Sequence, residues 1–152
     1  MMNEAAKAYW ESYWGDREHP ASLSAWMFGD TPDKLAQLVI ERKKTATCSA
    51  LILYELENEP LPTTEEYSII LNSKEEPVAI IKTIDVSLVP MNEVKEEFAL
   101  AEGEGSYEEW KEIHVRYFKQ ALKKANLSFT KDLLLVCERF KLIDVRKPLE
   151  VI

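Results

Sequence analysis

Apolar residues recur at helical spacing in several stretches of this chain and run on or alternate in others. Residues 3–14 place Ala6, Tyr9, Trp10, Tyr13 and Trp14 along one helical stripe, with Asn3 set to cap and Gly15 to stop it. Thr31-Pro32-Asp33 reads as a second helix start: a hydroxyl cap, proline at the first helical position, and an acid in the first turn. Leu35, Leu38 and Val39 form its buried stripe, and the spacing predicts an end near Glu41 or Arg42. Leu51, Tyr54 and Glu55 favour a helix from Ser49 to Glu57, with a strand as the alternative. The longest helical signal opens on a capping box, Ser106 with Glu109. It carries Tyr107, Trp110, His114, Phe118 and Ala121 on one face and meets Asn126 as a left-handed stop.

Strands are expected at Tyr67 to Leu71, Val78 to Val86 and Leu133 to Ile143, the first two joined as a hairpin by the turn-rich residues 72–77. Extended pieces around Ala21 to Met27 and near Pro90 are expected to complete a small curled sheet. Closing that sheet into a barrel would remove its exposed edges, so the expected class is α+β, a small β-barrel with flanking helices. All 152 residues read as one domain, with residues 1–30 an N-terminal helical extension packed on it.

Charge changes the picture of partners. With 27 Asp and Glu against 19 Lys and Arg, the chain carries a formal net charge of -8, which argues against a nonspecific nucleic-acid coat. It leaves room for a local basic groove at Arg42-Lys43-Lys44. No apolar run approaches the roughly 20 residues of a bilayer span, and no charged leader precedes an apolar run, so a cytoplasmic protein without a membrane partner is expected. Cys48 and Cys137 read as buried free thiols. His19 and His114 have no companions at zinc-ligand spacing, and no metal ligands are assigned.

Two segments concentrate candidate chemistry. Arg42-Lys43-Lys44-Thr45-Ala46-Thr47 offers cations and hydroxyls; Lys44 can neutralise a phosphate or act as a base that activates Thr47, and Thr45 can donate to a neighbouring oxygen. It is no P-loop, because the Gly-rich nest is missing. Ala101-Glu102-Gly103-Glu104-Gly105 holds two of the chain's four glycines, which suits a tight loop that turns Glu102 into a cleft. Lys44, Thr47 and Glu102 are expected in one pocket, with Trp110 or His114 in its wall. His114 alone reads more readily as a satisfied, half-buried histidine than as a reactive one.

The segment Lys43-Lys44-Thr45-Ala46-Thr47-Cys48-Ser49, with Pro90, Val94, Phe98-Ala99, Glu102-Gly103-Glu104-Gly105, Trp110, His114, Phe118 and Cys137-Glu138-Arg139-Phe140, resembles the ASCH domain family. These are small barrels of the PUA-like superfamily, and the likeness is to the larger bacterial branch described as predicted RNA-binding proteins. The resemblance implies binding of RNA or a nucleotide or nucleoside in a cleft formed by the Lys-Thr motif and the Glu-Gly loop. Arg42, Lys43, Thr45, Glu104, Trp110 and His114 would then contact the ligand. It also implies an alternative. A small bacterial branch removes the acyl group of N4-acetylcytidine with a lysine, a threonine and a glutamate, matched here by Lys44, Thr47 and Glu102. Another member is described as a metal-assisted ribonuclease, for which Mg²⁺ or Mn²⁺ would be needed; otherwise no cofactor is implied. Partners would be RNA or a modified nucleoside, and no DNA-specific motif is present. Two positions depart from the pattern: Arg42 stands where the family motif usually begins with glycine, and Ser106 where an aspartate is common.

Overall fold

Residues 69–71 and 79–81 are unbroken apolar runs, the pattern of strands covered on both faces. The computed structural model describes residues 2–20 and 23–147. In chain order it contains α1 (Glu4–Trp14), β1 (Leu23–Trp26), α2 (Pro32–Ile40), β2 (Ala46–Ala50), α3 (Leu51–Leu56), β3 (Tyr67–Leu71), β4 (Pro77–Pro90), a 3₁₀ turn (Met91–Glu93), α4 (Glu96–Ala101), α5 (Tyr107–Lys124) and β5 (Leu134–Val145). Side chains of alternating parity leave the sheet on opposite sides. Ile69, Leu71 and Ile80 pack with Tyr9 and Trp10 of α1, whereas Ile70, Ala79 and Ile81 pack with Leu35, Ala36 and Val39 of α2. A third core joins β2 and β5 to Phe98 of α4 and to Trp110 and Phe118 of α5.

The five strands form one mixed sheet in the order β1-β3-β4-β5-β2. β1 runs parallel to β3, and the remaining pairs are antiparallel. The expected barrel is not formed: β1 and β2 are the two edges and do not pair with each other. Register shifts at Ile80/Ile81 and Thr83/Asp85 bend the long β4–β5 ribbon, so the sheet curls without closing. Both edge strands instead line a shared cavity.

Local signals fared well where capping decides. Asn3 Oδ1 accepts from Ala6 N at 2.8 Å, and Ser106 and Glu109 make the full reciprocal box. Thr31 corrects its expectation: it sits in left-handed backbone (φ 39°) and its side chain makes no cap bond. Asp33 accepts from Ser73 N and Oγ at 2.8 and 2.7 Å, pinning α2 to the β3–β4 turn. The helix expected from Ser49 also needs correction, because residues 46–50 pair with Leu135 to Arg139 of β5 and α3 starts only at Leu51. Tertiary pairing overrides local spacing there. The extended piece at Ala21 to Met27 appears as β1, with Ala21 itself outside the described residues. Among the described residues no helix is long and apolar enough to cross a membrane.

Candidate functional site

Two helix exits build the centre of the site. α2 ends in a Schellman turn: Arg42 N donates to Val39 O (3.0 Å) and Lys43 N to Leu38 O (2.9 Å), with Arg42 itself at φ 63°. That position is where L-residues are strained and glycine is not. α4 ends in a second left-handed turn at Gly103 (φ 76°), whose amide donates to Leu100 O at 3.0 Å. The two exits lie backbone on backbone. Thr45 N donates to Ala101 O at 2.7 Å, and a Cβ on Gly103 would stand 2.5 Å from Lys43 O.

This contact aims Lys44 and Glu102 at each other. Lys44 is 2% exposed and Glu102 1%, and Lys44 Nζ lies 3.1 Å from Glu102 Oε1 and 3.4 Å from its main-chain oxygen. The other carboxylate oxygen, Oε2, accepts from Trp110 Nε1 at 2.7 Å and from the Cys48 thiol at 3.2 Å, and His114 Nε2 lies 3.4 Å away. His114 stacks on Trp110 with ring centroids 4.5 Å apart, and its Nδ1 is 2.8 Å from Trp110 O.

Electrostatics follow from these partners. Burial pushes the Glu102 carboxyl up, but the Lys44 charge, His114 and the Trp110 donor outweigh it and hold it down at about 2. Burial pushes His114 down, and its bond to the ionised Glu102 reverses this, leaving it raised. Burial and the Glu102 charge push the Cys48 thiol well up, so it is a donor and no nucleophile. Glu104 is raised chiefly by burial, with the charges of Glu102 and Asp30 adding to it against Lys44 and His114.

The pair opens onto a cavity of about 560 Å³, within the range of small-molecule sites. Lys44, Thr47, Glu102, Glu104 and His114 line it, and Trp26, Phe28, Tyr54 and Tyr117 supply aromatic wall. Thr47 therefore shares the cavity with Lys44 and Glu102, yet among the described residues no hydrogen bond joins its hydroxyl to either. Trp110 is buried and supports Glu102 without lining the cavity. Arg42, Lys43 and Thr45 do not line it; Lys43 has its side chain 67% exposed and pairs with Glu41 at 3.1 Å. Thr45 is exposed, its hydroxyl 3.5 Å from Ala101 O.

Sequence reasoning missed Cys48 and Glu138. Seeing β2 as a strand would have placed Cys48 on the face of Ala46 and Ala50, against Glu102. Glu138 pairs across the ladder with Thr47 and lines the same cavity. Burial pushes its carboxyl up to about 7, with Glu66 adding and Thr83 opposing. The signal was an acid set directly after the apolar run 133–137.

Cys48, Glu102 and His114 place one ligand atom each within 4.8 Å of one another. Lys44 and Trp110 already donate into the same carboxylate, so a divalent cation would have to displace an ammonium group from Glu102.

The open curled sheet, with paired helix exits beneath one cavity, defines an ASCH-type fold. The ASCH domain family model matches residues 24–144, and the chain belongs to that family, within the PUA-like superfamily. It is similar to the crystal structure of an Enterococcus faecalis V583 protein, at 40% identity and TM-score 0.84 over 91% of this chain and 88% of that one. An ASCH domain from Lactobacillus crispatus JV V101 is 30% identical, with TM-score 0.87 over 93% and 95% of the two chains. An ASCH protein from Zymomonas mobilis, 12% identical with TM-score 0.51 over 81% and 71%, shares the fold alone. No curated protein matches the chain. The family is generally linked to RNA and nucleotide binding.

Proposed function

We propose that this ASCH domain binds a nucleobase-bearing ligand (a nucleoside, a nucleotide or a base splayed out of single-stranded RNA) in the cavity above Lys44 and Glu102. The observation that carries the reading is the buried Lys44–Glu102 pair opening onto that cavity. A buried ion pair is a costly way to stabilise a core, and one placed at a cleft reads as a functional device. Base edges present donors and acceptors side by side, which an ammonium 3.1 Å and an imidazole 3.4 Å from one carboxylate can answer. The aromatic wall offers π faces for stacking. Titration calorimetry with nucleosides, mononucleotides and short single-stranded RNA should show saturable binding that Lys44→Ala weakens by about tenfold or more. Absence of saturable binding to all three classes overturns the reading.

Thr47 favours a second reading, hydrolysis. In the amidohydrolase version Lys44 passes its proton to Glu102 and takes the Thr47 proton, and Thr47 Oγ1 attacks the amide carbonyl of an N4-acylated cytidine. Glu102 gives its proton to the leaving amine, and water then hydrolyses the acyl–Thr47 ester to free the carboxylic acid. Cytidine released from N4-acetylcytidine without metal, and lost in Thr47→Ala, would support it. RNA cleavage abolished by a chelator would instead support a metal-assisted ribonuclease in which Lys44 offsets phosphate charge and Glu102 or Glu104 helps position a base or a hydrated Mg²⁺ or Mn²⁺.

A further inference from the structure

The reading above leaves open which nucleobase-bearing ligands are admitted, and one side chain bears on that. Glu104 lines the cavity with its side chain 10% exposed, and its Oε2 atom is buried without a hydrogen-bond partner. His114 Nε2 stands 3.8 Å off, within ion-pair range but beyond hydrogen-bond reach. A buried carboxyl oxygen without a donor is costly, and the Glu104 side chain that carries it lines the cavity, where a ligand can reach the carboxyl. Glu102, two residues earlier, has no such vacancy, since Trp110 and Cys48 fill it.

The charge around it is equally informative. Asp30, Glu59, Glu66, Glu102, Glu104 and Glu138 line the cavity, against one lysine and one histidine. The lysine is Lys44, already committed to Glu102. Arg42 and Lys43, the cations that suggest a phosphate site in the sequence, are exposed and stand outside the lining. A phosphate dianion entering here would meet several acids and no uncommitted lysine.

We propose that Glu104 selects the ligand, and that the class it selects is an uncharged nucleoside or free base offering an N–H or O–H, with phosphorylated nucleotides and RNA phosphates turned away. This rests on the nucleobase-binding reading of the cavity. Recognition is then by a donor reaching the Glu104 carboxyl, beside His114 and the closed Lys44–Glu102 pair.

Calorimetric titration of the four ribonucleosides and their 5′-monophosphates tests it. At least one nucleoside should saturate the protein, its monophosphate binding about tenfold more weakly or worse. Glu104→Leu should weaken that nucleoside by about tenfold while keeping the wild-type near-ultraviolet dichroism. Glu104→Gln keeps an acceptor without the charge, so it should retain the nucleoside and narrow the gap to the monophosphate; it carries the test if the leucine variant misfolds. A monophosphate bound as tightly as its nucleoside overturns the proposal and leaves nucleobase binding standing. Unchanged nucleoside affinity in Glu104→Leu also overturns it. No binding of any of the eight compounds overturns the proposal, and nucleobase binding falls with it only if short single-stranded RNA also fails to bind.

Discussion

Glu102, buried, and Glu138, half-buried, are two carboxyls in the wall of one cavity, and they hold their protons at opposite ends of the scale. Glu102 is the more deeply buried and is held at about 2; Glu138 is raised to about 7. Depth alone would order them the other way. What differs is the company. Glu102 faces an ammonium, an indole N–H and an imidazole, whereas Glu138 has a hydroxyl 3.4 Å away at Thr83 and the like charge of Glu66. In a low-dielectric wall the partner decides the charge, and the sheet and the helix exits decide the partner.

The largest expected effect comes from taking that company away. Lys44→Met leaves an unpaired buried carboxylate and should cost about 3–5 kcal/mol in denaturant unfolding at pH 7. Adding Glu102→Gln should recover most of that loss, because the stranded charge is gone. In the wild type the Glu102 contribution is fully present above the ordinary carboxyl value of 4.5 and fades as pH falls through about 2. A double variant no more stable than the single one would show that the ion pair does not set the Glu102 end.

Next in size is the turn that aims Glu102. Gly103→Ala forces a left-handed residue against the Lys43 carbonyl and should cost about 3 kcal/mol, measured the same way. Gly15→Ala is a control: its φ is also positive, at 56°, but nothing lies within 4 Å of the added carbon, and about 1 kcal/mol is expected.

Glu138 supplies the opposite pH dependence. Its raised carboxyl favours folding relative to its charged form below 4.5, and this advantage is lost as pH rises through about 7. Glu138→Gln should therefore stabilise the protein by about 2 kcal/mol more at pH 8.5 than at pH 5, read from urea midpoints at the two values. A gain that is flat with pH would place Glu138 in water and erase the contrast with Glu102.

The smallest change is Arg42→Gly, which relieves left-handed strain at the α2 exit without touching the cavity. A gain of about 0.5–1 kcal/mol is expected, visible as a rise in Tm with ligand affinity unchanged.

How much of this was legible depended on the range of the interaction. Asn3, Pro32, and Ser106 with Glu109 are read from neighbours within a turn, and the helices they open are present. Lys44, Thr47 and Glu102 were brought to one cavity by a charged helix exit, a hydroxyl and a paired glycine signal, together with the ASCH likeness. β2 was hidden because Ala46-Thr47-Cys48-Ser49-Ala50 has little apolar pattern of its own and becomes a strand by pairing with β5. With β2 unseen, neither Cys48 nor the Thr47–Glu138 pairing could be placed. The barrel was expected from edge protection, but the four-residue β1 joins the sheet beside β3 and never meets β2. Arg42 and Lys43 resemble Lys44 in composition, and only the Schellman turn separates the two that face water from the one that does not.

The position of β5 has a consequence for how the molecule comes into being. It is the last strand in chain order, yet it lies between β4 and β2 and pairs with both. During vectorial synthesis β2 emerges early and has no neighbour to bind until β5 follows it. Cys48, which belongs to β2, is not held on the sheet before that event, whereas Lys44 is aimed at Glu102 by the contact of the two helix exits. Pairings so distant along the chain form slowly, after local helices and the β3–β4 hairpin. The cavity is thus among the last features to mature, and a nascent chain lacking β5 would carry the basic run and the acidic loop without yet owning a site.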